Sequence, residues 1–121
     1  MNGAFVPAGS YSKTCNNIVV TLHAKAQKID GSWVPAALNI TELQSADIEN
    51  IDGVLRNVGL GGIPAGFVPE GSYTKTCQDI QVVLTCQAQK LDGSWVPTAF
   101  VLTDIARPGN LANIDGKLVN E

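Results

Sequence analysis

The chain has 121 residues, a formal net charge of −3 and a pI near 5.0. Its lysines and arginines are scattered without a run, so the electrostatic footprint of a nucleic-acid binder is missing. No apolar stretch approaches the ~20 residues of a membrane-inserted span, and the N-terminus lacks the basic and apolar regions of a signal peptide, which leaves the compartment open.

The segment that begins at Phe5 is repeated from Phe67. Phe5-Val-Pro-Ala-Gly-Ser-Tyr-Ser-Lys-Thr-Cys15 returns as Phe67-Val-Pro-Glu-Gly-Ser-Tyr-Thr-Lys-Thr-Cys77, 62 residues on, and the offset becomes 63 from about Asp47. More than half of the aligned positions are identical. A repeat of this length predicts two-fold pseudosymmetry, so a site on one half has a geometric counterpart on the other. Each half alone is marginal as a fold. One domain over 1–121 is therefore expected, made of repeat one (5–57), a connector (58–66) and repeat two (67–121).

In chain order, the segment after each Thr-Cys alternates. Ile18, Val20, Leu22, Ala24 and Ala26 fall on one face, and Ile80, Val82, Leu84, Cys86 and Ala88 match them. Period two with β-branched residues predicts a half-buried strand. His23 lies on the polar face and is most simply a solvated residue. Asp30-Gly31 and Asp92-Gly93 come next, and Asp-Gly between strand patterns predicts a two-residue type I′ hairpin. Trp33 and Trp95 read as core or rim packing before they read as sugar-stacking platforms, and Tyr11 and Tyr73 as structural residues. Ala37–Ile40 and Ala99–Leu102 are the return strands. Thr41-Glu-Leu-Gln44 has the capping-box pattern and Thr103-Asp104 begins similarly, which predicts a short helical turn in each half, cut short in the second by Pro108-Gly109. Asn50-Ile-Asp-Gly53 and Asn113-Ile-Asp-Gly116 read as turns leading into final strands. Val58–Gly66, rich in Gly, reads as a hinge or connector. The fold class is mostly β with short helical turns.

Of three cysteines, Cys15 and Cys77 are repeat equivalents, while Cys86 is answered by Ala24. At most one intrachain disulfide can form. Cys77–Cys86 is the natural pair if their strands lie side by side; three reduced thiols are the alternative. With His23 the one histidine and no Cys-x-x-Cys, a structural zinc site is not expected.

The Thr-Cys opening, the Asp-Gly-x-Trp hairpin and above all Ile48-Glu-Asn-Ile-Asp-Gly53 with Leu111-Ala-Asn-Ile-Asp-Gly116, in this order and duplicated, resemble the cyanovirin-N homology family of mannose-binding lectins over nearly the whole chain. The resemblance implies a pseudosymmetric cyanovirin-N-like fold with strand exchange between the repeats, and a non-catalytic lectin for α1,2-linked mannose at the ends of high-mannose glycans. It implies up to two pockets, and no metal or cofactor. The first combines Ser10, Thr14, Asn113, Ile114 and Asp115 with Lys25, Gln27 and neighbours as far as Ile29. The second combines Glu49, Asn50, Asp52, Gly71, Ser72, Lys75 and Thr76 with Gln87, Gln89 and neighbours as far as Leu91. Family members often carry a disulfide in each half; here Ala24 denies one to repeat one.

The implied partners are mannose-containing oligosaccharides or glycoproteins, with the chain a monomer or a domain-swapped dimer. Rigidly held amides, carboxylates and hydroxyls are what adjacent sugar hydroxyls require. A glycosidase would need two carboxylates ~5–9 Å apart across a sugar. Glu49 and Asp52 offer such a pair, but nothing around them points to an apolar cleft that would raise one pKa. The alternative to a lectin is a structural or storage protein with one or both pockets inactive.

Overall fold

Alternation after each Thr-Cys becomes one long strand per repeat: β1 (Cys15–Gln27) and β5 (Cys77–Gln89). The computed structural model describes residues 5–43, 45–58, 66–105 and 109–121. Val20, Leu22, Ala24, Ala26 and, in repeat two, Val82, Leu84, Cys86 and Ala88 are buried as the alternation predicts, while His23 is exposed. Each long strand turns back into a shorter one, β2 (Trp33–Asn39) and β6 (Trp95–Val101).

β1 and β5 also pair with each other, antiparallel, so a four-stranded sheet runs β2-β1-β5-β6 with the boundary between repeats at its centre. The register is reciprocal: Cys15 faces Ala88 and Ala26 faces Cys77. Two β-bulges interrupt it, with Asn17 and Asp79 each at φ 54. Asn and Asp tolerate this left-handed geometry better than other side chains. The outer strands each hold a proline at their third position, Pro35 and Pro97.

Hairpins β3–β4 (Ile48–Ile51, Val54–Asn57) and β7–β8 (Leu111–Ile114, Lys117–Asn120) end the repeats. Each packs on a 3₁₀ turn at the start of the other repeat: β3 on Ser72–Lys75 and β7 on Ser10–Lys13. This is the exchange expected of the family. Gly9 and Gly71 allow it. At φ 140 and 146 they lie against Leu111 and Ile48, where a methyl group would overlap the neighbour's backbone. Backbone bonds close both contacts, Leu111 N–H to Ala8 O and Ile48 N–H to Glu70 O, each 2.9 Å.

A continuous core lies between the sheet and these hairpins, drawing Phe5, Tyr11, Ile40, Ile48 and Leu55 from one repeat and Phe67, Tyr73, Leu102, Leu111 and Leu118 from the other. Tyr11 and Tyr73 are fully buried and donate their hydroxyls to Pro7 O and Pro69 O at 2.7 and 2.6 Å, so both are structural.

Local turn chemistry differs from the expectation in two places. Asp30-Gly31 does not form a two-residue I′ turn. Lys28–Ser32 makes a longer loop closed by Gly31 N–H to Lys28 O and Lys28 N–H to Ser32 O, and only Gly31 has positive φ. The I′ geometry appears instead at Asp52-Gly53 (φ 50 and 90) and Asp115-Gly116 (φ 53 and 89), where both central residues are left-handed. Thr41 opens only a single turn, closed by Leu43 N–H to Ile40 O at 3.3 Å, and not a helix. Its hydroxyl accepts from Val20 N–H at 2.8 Å, as Thr103 does from Val82 N–H at 3.0 Å, tying the chain back to the long strand. Gln44 and Pro108, expected to shape these turns, and positions 59–65 of the connector lie outside the described residues.

The cysteine pairing is corrected. Cys77 and Cys86 sit nine residues apart along the single strand β5, ~30 Å at 3.3 Å per residue, far beyond disulfide reach. All three thiols are free. The neighbour of Cys86 is Cys15, across the β1–β5 ladder. Burial, with the Cys15 contact second, pushes the Cys86 thiol up to about 12 from its ordinary 9.0. Burial also raises both tyrosine phenols.

A raised thiol pKa means that the folded state favours the protonated form. Its stabilising effect is complete below the unfolded value near 9.0 and is lost as pH climbs toward about 12. The urea midpoint is expected to fall across that window, and to fall less steeply in Cys86→Ala; equal slopes would contradict the assignment. Gly71→Ala is expected to cost at least about 2 kcal/mol in urea denaturation, from combined φ strain and overlap with Ile48. A cost below about 0.5 kcal/mol would show the contact is looser than described.

Candidate functional site

Two junctions arise where the end of one repeat meets the start of the other. At the first, Asn50 of β3 uses its whole side-chain amide. Nδ2 donates to Gln27 O at 2.9 Å and to Thr76 Oγ1 at 3.0 Å, while Oδ1 accepts from Gly53 N–H at 2.8 Å. One planar group with two donors and an acceptor thereby fastens the I′ turn, the end of β1 and the first residues of repeat two. Asn113 repeats this at the second junction, with Gln89 O at 2.9 Å, Thr14 Oγ1 at 2.9 Å and Gly116 N–H at 2.8 Å. Backbone bonds of 2.9 Å, Gln27 N–H to Thr76 O and Gln89 N–H to Thr14 O, run alongside.

The aspartate two residues on reaches sideways. Asp52 Oδ1 accepts from Ile29 N–H at 2.9 Å and Asp115 Oδ1 from Leu91 N–H at 2.9 Å, which pins the long loop of each repeat to its own I′ turn. Both aspartates are exposed, and among the described residues their Oδ2 atoms have no partner. In the loops, the Ser32 and Ser94 hydroxyls and N–H groups hold Asp30 and Asp92 below the usual carboxylate range. The loop tips present Ile29 and Leu91 at 88% and 91% exposure, with Trp33 and Trp95 nearly half exposed beside them. The tryptophans are thus rim residues outside the core.

The structure brings together most of the residues singled out from sequence, with one exchange. Asn50, Asp52, Gly71, Ser72, Lys75 and Thr76 meet at the first junction, with half-buried Glu49 opposite Arg56 on the same hairpin. Ser10, Thr14, Asn113, Ile114 and Asp115 meet at the second. The loops are swapped relative to expectation. Gln27 and Ile29 belong with Asn50, and Gln89 and Leu91 with Asn113. Lys25 and Gln87 reach neither junction: Lys25 lies 4.0 Å from Asp79 across the sheet, and Gln87 faces Pro97 and Asn16. Sequence reading named Gly71 and passed over Gly9, although the repeat itself carries that signal. Among the described residues, no group of three or more His, Cys, Asp or Glu is assembled to hold a metal ion.

A family model for the CVNH domain matches residues 11–119. The chain is similar to a solved structure described as a designed cyanovirin-N homolog lectin, LKAMG, determined by NMR, at 22% identity over 93% of this chain and 99% of that one, with a TM-score of 0.20. No curated protein matches.

Since each asparagine makes three bonds at ~1 kcal/mol net apiece, Asn50→Ala and Asn113→Ala are each expected to lower unfolding free energy by about 2–3 kcal/mol. Asp52→Asn is expected to lower it by no more than about 1 kcal/mol, because an amide oxygen still accepts from Ile29 N–H. Urea denaturation distinguishes these. An asparagine variant as stable as wild type would mean the bracket does not hold the junction.

Proposed function

We propose a carbohydrate-binding function on one premise: the chain belongs to the CVNH domain family. That family is one of mannose-binding lectins, generally non-catalytic. The specific reading is a lectin for α1,2-linked mannose at the ends of high-mannose glycans, with one site at each junction. The carrying observation is the asparagine bracket. It fixes a hydroxyl of one repeat beside a carboxylate-bearing turn of the other.

In this reading Asn50 and Asn113 act as positioning residues, since their amides are already engaged. Direct sugar contacts fall to Asp52, Ser72, Lys75, Thr76 and Glu49 at one junction and to Asp115, Ser10 and Thr14 at the other, with the Ile114 backbone beside them. Shallow sites built from a few bonds of ~1 kcal/mol each give modest affinity singly. Two sites on one chain gain avidity of ~10²–10⁴ on a glycan array that both can reach. The engaged asparagines also favour a second reading, a scaffold whose junctions hold the repeats together and bind nothing.

Titration of the ¹⁵N-labelled protein with α1,2-mannobiose separates these readings. Shifts are expected at Ser72–Thr76 and Glu49–Asp52, and at the counterparts Ser10–Thr14 and Asn113–Asp115. They should be unchanged by a chelator, with no product formed. Silence at both junctions at millimolar sugar would leave the scaffold reading.

A further inference from the structure

Thr85 and Gln87 of β5 and Pro97 and Ala99 of β6 stand at alternate strand positions, on the sheet face opposite the core. The register pairs Thr85 with Ala99 and Gln87 with Pro97, so the four form a compact array. The left-handed bulge at Asn17 closes one side of it, and Cys86 and Thr98 complete the lining. The resulting groove has a volume of about 420 Å³, within the range of small-ligand sites. It contains no charged side chain. It offers two carboxamides and the Thr85 hydroxyl around a proline ring and a methyl group, while Cys86 and Thr98, whose side chains alternate to the core face, line it with backbone. Among the described residues, no hydrogen bond engages the Asn17 or Gln87 amide.

The pseudo-two-fold supplies an internal comparison. The equivalents of Asn17, Thr85, Gln87 and Thr98 are Asp79, His23, Lys25 and Ala36, while Pro35 and Ala37 match Pro97 and Ala99. On that face Lys25 Nζ and Asp79 Oδ2 approach to 4.0 Å, placing an ion pair where the other face has two uncharged amides. The same backbone geometry is therefore charged and bridged on one half and neutral and open on the other.

We propose that this groove is a third binding site, separate from both junctions, for a neutral polyhydroxylated ligand of monosaccharide or disaccharide size. The amides and the Thr85 hydroxyl donate to and accept from ring hydroxyls, and the Pro97 ring with the Ala99 methyl packs the C–H face. Lack of charge suits an uncharged sugar, since no buried ion is left uncompensated on binding.

NMR titration of the full chain with α1,2-mannobiose and with maltose tests this. Shifts are expected at Asn17, Thr85, Gln87 and Thr98 with at least one sugar, and none at His23, Lys25 or Asp79. The double variant Asn17→Asp with Gln87→Lys installs the pair that the fold already accommodates at Asp79 and Lys25. It is expected to weaken groove binding about tenfold or more, the loss of one to two hydrogen bonds, while junction shifts stay as in wild type. The reciprocal variant Lys25→Gln with Asp79→Asn is expected to create new shifts around Pro35–Ala37. No groove shifts in wild type, or a change below about twofold in the first variant, would overturn the proposal. Groove shifts without junction shifts would instead remove the junction reading and leave this one standing.

Discussion

Antiparallel pairing of β1 with β5 is the constraint on which the other features depend. These strands belong to different repeats, and their reciprocal register sets the start of each beside the end of the other. Cys15 therefore arrives next to Ala88 and Cys77 next to Ala26, which delivers Thr14 to the end of β5 and Thr76 to the end of β1. Only then can Asn50 and Asn113 bridge the repeats with a single amide each. Each half on its own would leave one face of its long strand's ladder unpaired, at the cost of unmet backbone hydrogen bonds. The core is common property for the same reason: Phe5 and Phe67, Tyr11 and Tyr73 fill one cluster.

What the sequence made legible was local. Alternation marked both long strands and the side each buries, and the duplicated Asn-Ile-Asp-Gly marked both turns and the two junctions. What it hid depends on partners. The Cys77–Cys86 pairing assumed that the residues between them fold back as a hairpin. With no Gly or Pro anywhere from Cys77 to Gln89, the segment extends as one strand and keeps its ends apart. The loop exchange has the same origin, since assigning Gln27 to Asn113 requires knowing where β1 ends relative to the other repeat. Asp30-Gly31 misled because Asp30 can spend its carboxylate on Ser32, stabilising a longer loop in place of the tight turn. The 3₁₀ turns at Ser10–Lys13 and Ser72–Lys75 have too few residues for any periodic signal.

The two repeats share one backbone geometry, which makes their side-chain differences informative. Backbone features recur almost number for number, from the bulges at φ 54 to the glycines at φ 140 and 146. Many of the differences lie in side chains that face solvent: Ala8 against Glu70, Val54 against Lys117, His23 against Thr85, Asp79 against Asn17. The scaffold is thus held constant while the two halves offer different chemistry at matching places. One binds charge to charge across the sheet, and the other leaves amides exposed.

The prolines in β2 and β6 bear on behaviour at high concentration. An open sheet ends in rows of backbone donors and acceptors that can template a further strand from a neighbouring molecule. Pro35 and Pro97 lack an N–H and sit near the middle of the two outermost strands, so each row is broken where a visiting strand would need to be continuous. Strand addition is thereby disfavoured at both margins by the same residue type at equivalent positions.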